Sequence, residues 1–170
     1  MRVQITSASL DYEAVFLAAV RRSRELHGQW VSPPRSKADF RYYLSIKQGP
    51  NNASYFVLSP EDDLVGVINL TEIVHGAFRN AYLGYYAFSP HHRHGFMRHG
   101  LREVVNRAFY RNGHALHRLE ANIQPQNRAS IGLVRSLGFR KEGFSPRYLK
   151  IRGRWRDHER WAITREDWQP

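Results

Sequence analysis

Residues 81–109 decide the fold of this chain, and they read AYLGYYAFSPHHRHGFMRHGLREVVNRAF. The segment 81–89 is rich in aromatic residues and predicts a β-strand. After the turn, apolar residues recur three and four positions apart, which predicts a helix over 96–112. A strand that turns into a helix leaves unpaired backbone N–H groups at the helix start. These N–H groups and the helix dipole favour a phosphate group at this turn.

The turn before this helix is basic and contains one glycine. Gly95 would let the backbone approach an anion closely, and Arg93 and Arg98 add positive charge. A plain turn and a nucleic-acid-binding segment remain alternative interpretations. A metal could bind to the histidines of this stretch, which are His91, His92, His94 and His99. No carboxylate or cysteine joins them, so we predict no metal site.

The segments on either side extend this alternation of strands and helices. The predicted strands are 3–6, 54–59, 64–73, 81–89, 117–123, 139–151 and 154–164. The predicted helices are 11–24, one that begins after Ser36, 96–112 and 127–137. The order β-α-α-β-β-β-α-β-α-β-β predicts a mixed sheet with helices on its faces. We expect a single domain over 1–170.

Composition limits the chemistry and the partners. The chain has no cysteine, which excludes a disulfide framework and a cysteine nucleophile. Lys and Arg number 26 against 15 acidic residues, for a formal charge of +11. This charge suits nucleic acid, a ribonucleoprotein, a phosphorylated cofactor, or a basic surface with no dedicated partner. No signal-peptide pattern and no membrane-spanning apolar run are visible, so we expect a cytoplasmic protein with no membrane contact.

Four stretches resemble the GNAT superfamily of N-acetyltransferases and, within it, the ribosomal-protein-alanine N-acetyltransferase (RimJ) type. They are LVGVINLTEIVHGAFRNAYLGY at 64–85, HGFM at 94–97, LHRLEANIQPQNRASIGLVRSLGFRKEG at 116–143 and YLKIRGRWRDHERWAITREDW at 148–168. The resemblance implies an α/β (α+β) GNAT fold, with one mixed, strongly twisted sheet, splayed central strands and helices on both faces. It also implies that acetyl-CoA binds between the splayed strands as co-substrate.

The resemblance further implies a set of cofactor-binding residues. The pyrophosphate loop aligns with His92, Arg93, His94, Gly95, Phe96 and Met97, followed by Arg98. His92 replaces the usual Gln or Arg, and Met97 replaces a small residue. The backbones of Tyr86, Ala87 and Phe88 would bind the pantetheine arm. Asn127 matches an asparagine that orders the cofactor, although it also suits a plain helix N-cap.

Three residues are candidates for catalysis. Glu120 is the first candidate for a base acting through water, and Glu72 is the second. Each could instead be a strand carboxylate paired with an arginine. Many family members protonate the leaving sulfur with a tyrosine where this chain has Val134. Ser130, one turn earlier, is the remaining hydroxyl on that face, or an ordinary first-turn serine.

The predicted function is transfer of an acetyl group from acetyl-CoA to a primary amine. The favoured acceptor is the N-terminal α-amino group of a protein such as a ribosomal protein, which would place the enzyme near ribosomes. One alternative acceptor is a small amine, such as a polyamine, an amino acid or an antibiotic. Another alternative is a non-catalytic ribonucleoprotein-binding module with a degenerate CoA site. Aromatic residues that could wall an acceptor groove, or belong to the core, are Trp30, Tyr42, Tyr43, Tyr85 and Tyr148.

Overall fold

The computed structural model of the protein describes residues 3–170, which build a seven-stranded sheet. The strands are β1 (Gln4–Ser7), β2 (Ala53–Leu58), β3 (Leu64–Val74), β4 (Asn80–Ala87), β5 (Arg118–Ile123), β6 (Arg140–Ile151) and β7 (Arg154–Thr164). The helices are α1 (Glu13–Arg22), α2 (Arg24–His27), α3 (Lys37–Lys47), α4 (Phe96–Phe109) and α5 (Arg128–Ser136), and a 3₁₀ turn at Leu10–Tyr12 precedes α1. This arrangement confirms the predicted mixed sheet.

The sheet divides between β4 and β5. Its strand order is β1-β2-β3-β4-β5-β7-β6, and β4 pairs with β5 in parallel while the other neighbours are antiparallel. The β4–β5 pairing joins Asn80, Ala81 and Tyr82 to Arg118, Leu119 and Glu120. Beyond Tyr82, β4 continues to Ala87 along β3 while its pairing with β5 has ended. The central strands are therefore splayed, as the resemblance to the GNAT superfamily implies.

Helices cover both faces of the sheet. On one face, α4 and α5 pack over an apolar cluster that includes Leu101, Val104 and Ile131. On the other face, α1 and α3 enclose a second cluster around Phe16 and Phe40. Successive side chains of a strand point to opposite faces, so one strand supplies residues to both clusters. The observed layers agree with the predicted helices on both faces.

The helix ends differ from the prediction in two places. The predicted helix 11–24 bends at Ser23, where the buried hydroxyl accepts a hydrogen bond from the N–H of Ser89 at 2.9 Å. A separate turn, α2, then brings His27 to β4. The predicted helix 96–112 stops at Phe109, because the next residue, Tyr110, is extended. Within residues 3–170, the structure contains no helix with the length and apolar content needed to cross a membrane.

Candidate active site

A cavity of about 540 Å³ opens where β4 and β5 diverge. Its wall is formed by α2 and the following loop, the end of β4, the turn before α4, and the first turns of α4 and α5. The predicted site residues that line it are Tyr86, Ala87, His92, Arg93, Gly95, Phe96, Met97, Arg98, Asn127 and Ser130. The splayed sheet therefore gathers residues from distant parts of the chain around one space.

The amino end of α4 presents backbone donors to this cavity. Gly95 is the N-cap, has φ of 82°, and provides no side-chain cap. A Cβ at Gly95 would meet no atom within 4 Å, so the glycine is required by its backbone conformation and not by crowding. The first helical hydrogen bonds run from Arg98 and His99 to the Gly95 carbonyl, at 3.0 and 3.3 Å. The N–H groups of Phe96 and Met97 precede these bonds and are available to an anion.

In the turn before α4, some side chains line the cavity and others are exposed on the surface. His92 lines the cavity, and its buried Nδ1 has no hydrogen-bond partner among the described residues. His94 is exposed and its ring stacks 6.4 Å from that of Phe96, so it lies outside the lining. Met97 fits because Gly66 in β3 has no side chain: a Cβ there would lie 2.1 Å from the Met97 sulfur. Gly66 thus provides the space for the larger residue in this loop.

Along the edge of β4 that faces away from β3, the unpaired backbone groups are those of Tyr85 and Ala87. The N–H of Phe88 donates to the Val65 carbonyl at 2.9 Å, so this group is used by the sheet. Backbone direction alternates along a strand, and Tyr86, paired with Val67, also faces β3. The prediction that the backbones of Tyr86 and Phe88 bind a ligand is therefore corrected. The backbones of Ala87 and Tyr85 point into the cleft instead.

His27 contacts this free edge, although no sequence pattern points to it. Its Nε2–H donates to the Ala87 carbonyl at 2.9 Å. Nδ1 of the neutral ring therefore keeps its lone pair and can accept a proton. The side chain is buried and lines the cavity. Burial lowers the pKa of His27, the bond to Ala87 opposes this, and the charge of Arg35 adds to the lowering. The imidazole is therefore neutral at neutral pH.

Ser130 sits in the first turn of α5 between two partners. Its N–H donates to Asn127 Oδ1 at 3.2 Å, so Asn127 is the N-cap of α5 while it also lines the cavity. The hydroxyl of Tyr85 lies 2.7 Å from Ser130 Oγ and 3.1 Å from the Ser130 carbonyl. Burial raises the pKa of Tyr85, which keeps its hydroxyl protonated. Val134 is fully buried and brings no hydroxyl.

The two predicted carboxylates lie outside the cavity lining. Glu120 is buried, and its Oε2 accepts a hydrogen bond from Arg118 Nη1 at 2.9 Å. Glu72 is exposed, in the part of β3 where the register with β4 shifts. The interpretation of Glu120 as an arginine-paired strand carboxylate therefore fits the geometry. The sequence does not reveal this ion pair, because it depends on the face of β5 that Glu120 takes. The pleat of the strand points Glu120 away from α4 and α5.

Comparison with known protein families gives a direct match. The family described as "Acetyltransferase (GNAT) domain" matches residues 2–140. The [Ribosomal protein uS5]-alanine N-acetyltransferase of Escherichia coli (strain K12) is 40% identical over 126 residues, which are 73% of this chain and 63% of that protein. The match thus spans less than two thirds of the length of this curated relative.

Solved structures show the same fold. Mycobacterium smegmatis RimJ in complex with CoA-disulfide superposes with a TM-score of 0.87 at 24% identity, covering 96% of this chain and 82% of that one. Spermidine N-acetyltransferase from Vibrio cholerae, in complex with CoA and spermine, gives a TM-score of 0.81 at 18% identity, covering 97% and 96%. These likenesses confirm the predicted GNAT fold.

Proposed function

Because this chain belongs to the GNAT acetyltransferase family, we propose that it transfers an acetyl group from acetyl-CoA to a primary amine. One observation carries the proposal: the cleft between β4 and β5 joins the amino end of α4 to the free edge of β4. The helix end can bind the phosphates of the co-substrate. The unpaired strand edge can form hydrogen bonds with its amides. Both features belong to one cavity.

The residues present fit acetyl-CoA. The N–H groups of Gly95, Phe96 and Met97 would hold the diphosphate, and Arg98, exposed beside them, adds positive charge. The open space beside Gly95 leaves room for phosphate oxygens. Farther along the cleft, the carbonyl of Tyr85 and the N–H of Ala87 would bind the amides of the pantetheine arm, which leaves the N–H of Tyr85 for the acetyl group. No metal has a role in this proposal.

Three groups of the chain would carry the chemistry. Acetyl-CoA supplies an acetyl thioester whose carbonyl carbon is attacked by the amine. A backbone N–H on the free edge of β4 would stabilise the negative charge that develops on the carbonyl oxygen. Ser130 would direct its hydroxyl to the leaving sulfur, and His27 would accept a proton from the amine at Nδ1. These roles replace those that the sequence assigns to Glu120 and Glu72.

We propose the N-terminal α-amino group of a protein as the acceptor. The 40% identity to a uS5-alanine N-acetyltransferase supports this choice. An α-amino group has a pKa of roughly 8, so part of it is neutral at cytoplasmic pH and a weak base suffices. The formal charge of +11 would suit an acceptor that lies next to RNA, such as a ribosomal protein. The enzyme would accordingly work in the cytoplasm.

A small amine is the second candidate acceptor, and the fold likeness to a spermidine N-acetyltransferase favours it. Mass spectrometry on peptides beginning with Ala or Ser, with spermidine in parallel, separates the two. We expect a single added acetyl group on the peptides. Acetylation of spermidine alone would replace the proposed acceptor with a polyamine. Absence of acetyl-CoA binding in calorimetry at millimolar cofactor would instead favour a non-catalytic ribonucleoprotein-binding module.

A further inference from the structure

The first turns of α4 lie close to the sheet, because each of two contacts has a glycine on one side. Met97 of α4 packs on Gly66 of β3, and Val57 of β2 packs on Gly100 of α4. A Cβ at Gly66 would collide with the Met97 sulfur, and a Cβ at Gly100 would lie 2.8 Å from a Val57 methyl group. The helix and the sheet therefore each insert one side chain into a space that a glycine of the other leaves open.

The residues of the sheet beneath this contact form one row across three strands. Val57 on β2 is opposed by Gly66 on β3, and Gly66 is opposed by Ala87 on β4. Neighbouring strands lie about 4.8 Å apart, and the row crosses them nearly at right angles. Its last member, Ala87, lines the cavity and carries one of the unpaired backbone groups of β4. The contact of Met97 with Gly66 therefore lies one strand away from the free edge of β4.

Both contacts belong to the apolar cluster beneath α4. Val57 and Gly100 are buried, and Met97 packs against the same cluster while it also lines the cavity. Protein interiors are packed as densely as organic crystals, so a helix held by two interlocking contacts has little freedom to shift over the sheet. The start of α4 and the end of β4 are therefore held as one rigid unit.

Met97 connects this packing to the proposed cofactor site through its own backbone. Its N–H is among the unpaired donors at the start of α4, while its side chain is held against Gly66. The resemblance to the GNAT superfamily implies a small residue at this position, and a small residue would leave the space over Gly66 empty. In this chain the larger side chain therefore fixes where the α4 donors lie relative to β4.

We propose that the Met97 side chain, held by Gly66, sets the distance between the α4 donors and the Ala87 N–H and is thereby a positioning residue for acetyl-CoA. This proposal rests on the acetyltransferase function, in which the diphosphate binds at α4 and the pantetheine arm binds at β4. Both groups belong to one molecule, so they bind together only when the distance between the two sites matches that molecule. A ligand that reaches only one site does not depend on this distance.

Calorimetry with two ligands tests the role of Met97. ADP carries a diphosphate but no pantetheine arm, whereas acetyl-CoA carries both. For Met97→Ala, the Kd for acetyl-CoA should rise about tenfold, as expected when a hydrogen bond to a charged group is lost, and the Kd for ADP should stay unchanged. Met97→Leu, with nearly the same side-chain volume, should bind both ligands like the wild-type protein. Equal losses for ADP and acetyl-CoA, or no loss for either, would overturn the proposal.

A control on the same helix distinguishes this role from a general loss of core packing. Val105→Ala removes apolar contacts at a fully buried position about two turns farther along α4. It should leave the Kd for acetyl-CoA and the Kd for ADP unchanged. A rise in the Kd for acetyl-CoA as large as that of Met97→Ala would overturn the positioning role, because any loss of packing beneath α4 would then have the same effect.

A second-site variant tests the contact from the side of the sheet. The methyl group of Gly66→Ala collides with the Met97 sulfur and comes within 2.9 Å of the Tyr86 carbonyl, so the Kd for acetyl-CoA should rise. Adding Met97→Ala should recover part of this loss, because it removes the closer of the two collisions. Losses that simply add would contradict the proposal. Failure of the wild-type protein to bind acetyl-CoA would overturn the proposed function and this inference together.

Discussion

Tyr85 Oη lies 2.7 Å from Ser130 Oγ and thereby links the free edge of β4 to the first turn of α5. The phenol stays protonated because burial raises its pKa, so it is suited to hold Ser130 and not to release a proton itself. When the single Tyr85 proton is donated to Ser130 Oγ, the shorter of its two contacts with Ser130, the Ser130 hydrogen is free to point at a leaving sulfur. A strand tyrosine thus supports the hydroxyl on α5, where Val134 provides none.

This arrangement predicts coupled effects of Tyr85→Phe and Ser130→Ala. Tyr85→Phe should lower kcat about threefold to tenfold, the range expected for one hydrogen bond, with little change in the Kd for acetyl-CoA. The double variant should be no slower than Ser130→Ala, because Tyr85 acts through Ser130. Ser136→Ala, at the far end of α5, is the matched control. Additive losses in steady-state kcat would show that Tyr85 acts independently of Ser130.

Gly95 predicts a specific loss of cofactor affinity. Gly95→Val places a β-branched residue at φ of 82° and disturbs the N–H groups at the start of α4. The Kd for acetyl-CoA should rise at least about tenfold, as expected when a hydrogen bond to a charged group is lost. Gly76→Val is the control: Gly76 also has positive φ, 73°, and open space around it, but lies in the β3–β4 turn. Calorimetry that gives the same Kd for both variants would contradict a diphosphate site at α4.

His27 predicts the acidic limb of the pH–rate profile. Its pKa is below the usual value for histidine, chiefly through burial and also through Arg35, so the neutral base persists as the pH falls toward that lowered pKa. The rings of Tyr86 and Phe88 enclose it, and the Ala87 carbonyl binds Nε2–H. Activity should fall when the pH drops through the lowered pKa, because protonated Nδ1 cannot accept a proton. Initial rates at saturating cofactor from pH 5 to 9 measure this limb.

The variant His27→Gln distinguishes a role of His27 as proton acceptor from a purely structural role as donor to the Ala87 carbonyl. The glutamine amide retains an N–H donor for the Ala87 carbonyl but does not titrate. We expect the profile of kcat/KM to lose the limb at the lowered pKa of His27 and to keep only the limb of the acceptor amine, whose pKa is roughly 8. We also expect kcat/KM to fall roughly 10²-fold, the usual lower bound for a general base. A His27→Gln enzyme with an unchanged pH–rate profile would exclude His27 as the proton acceptor.

Arg118 and Glu120 predict an effect on stability. Arg118→Met leaves the buried Glu120 carboxylate without its cation, and loss of one partner of a buried pair costs about 3 kcal/mol. For a chain of this size, Tm should fall by roughly 6–12 °C. Arg140→Met removes more exposed ion pairs with Asp167 and Glu142 and should lower Tm much less. Equal shifts in calorimetric Tm would show that the Glu120 carboxylate is well hydrated.

The sequence was a good guide wherever the signal was local. Ser36 was predicted at the start of α3, and its Oγ accepts a hydrogen bond from the Asp39 N–H at 3.1 Å. Asn127 has the N-cap role that its position suggested, and Gly95 occupies the turn between strand and helix. Each of these features depends on backbone groups within a few residues, so the residue type and its spacing carry the information.

The catalytic candidates were harder to assign, because their environment is formed by distant segments. The sequence presents Glu120 as an available carboxylate, but strand pleating places it against Arg118, which also donates to Asn80 Oδ1. His27 gave no sequence signal, since its partner Ala87 is 60 residues away in the chain. The sequence places Tyr85 only among the aromatic residues of a groove or a core, because its contact with Ser130 spans 45 residues.

The local sequence is enough to predict the succession of strands and helices and the glycine turn whose amides can hold an anion. These follow from hydrophobic periodicity and from backbone hydrogen bonds that close over short distances. Long-range folding alone ends the β4–β5 pairing at Tyr82 and brings Tyr85 and His27 to the resulting cleft. The reason is physical: the strand order β4-β5-β7-β6 and the face that each residue takes depend on long-range pairing, which local pattern does not encode.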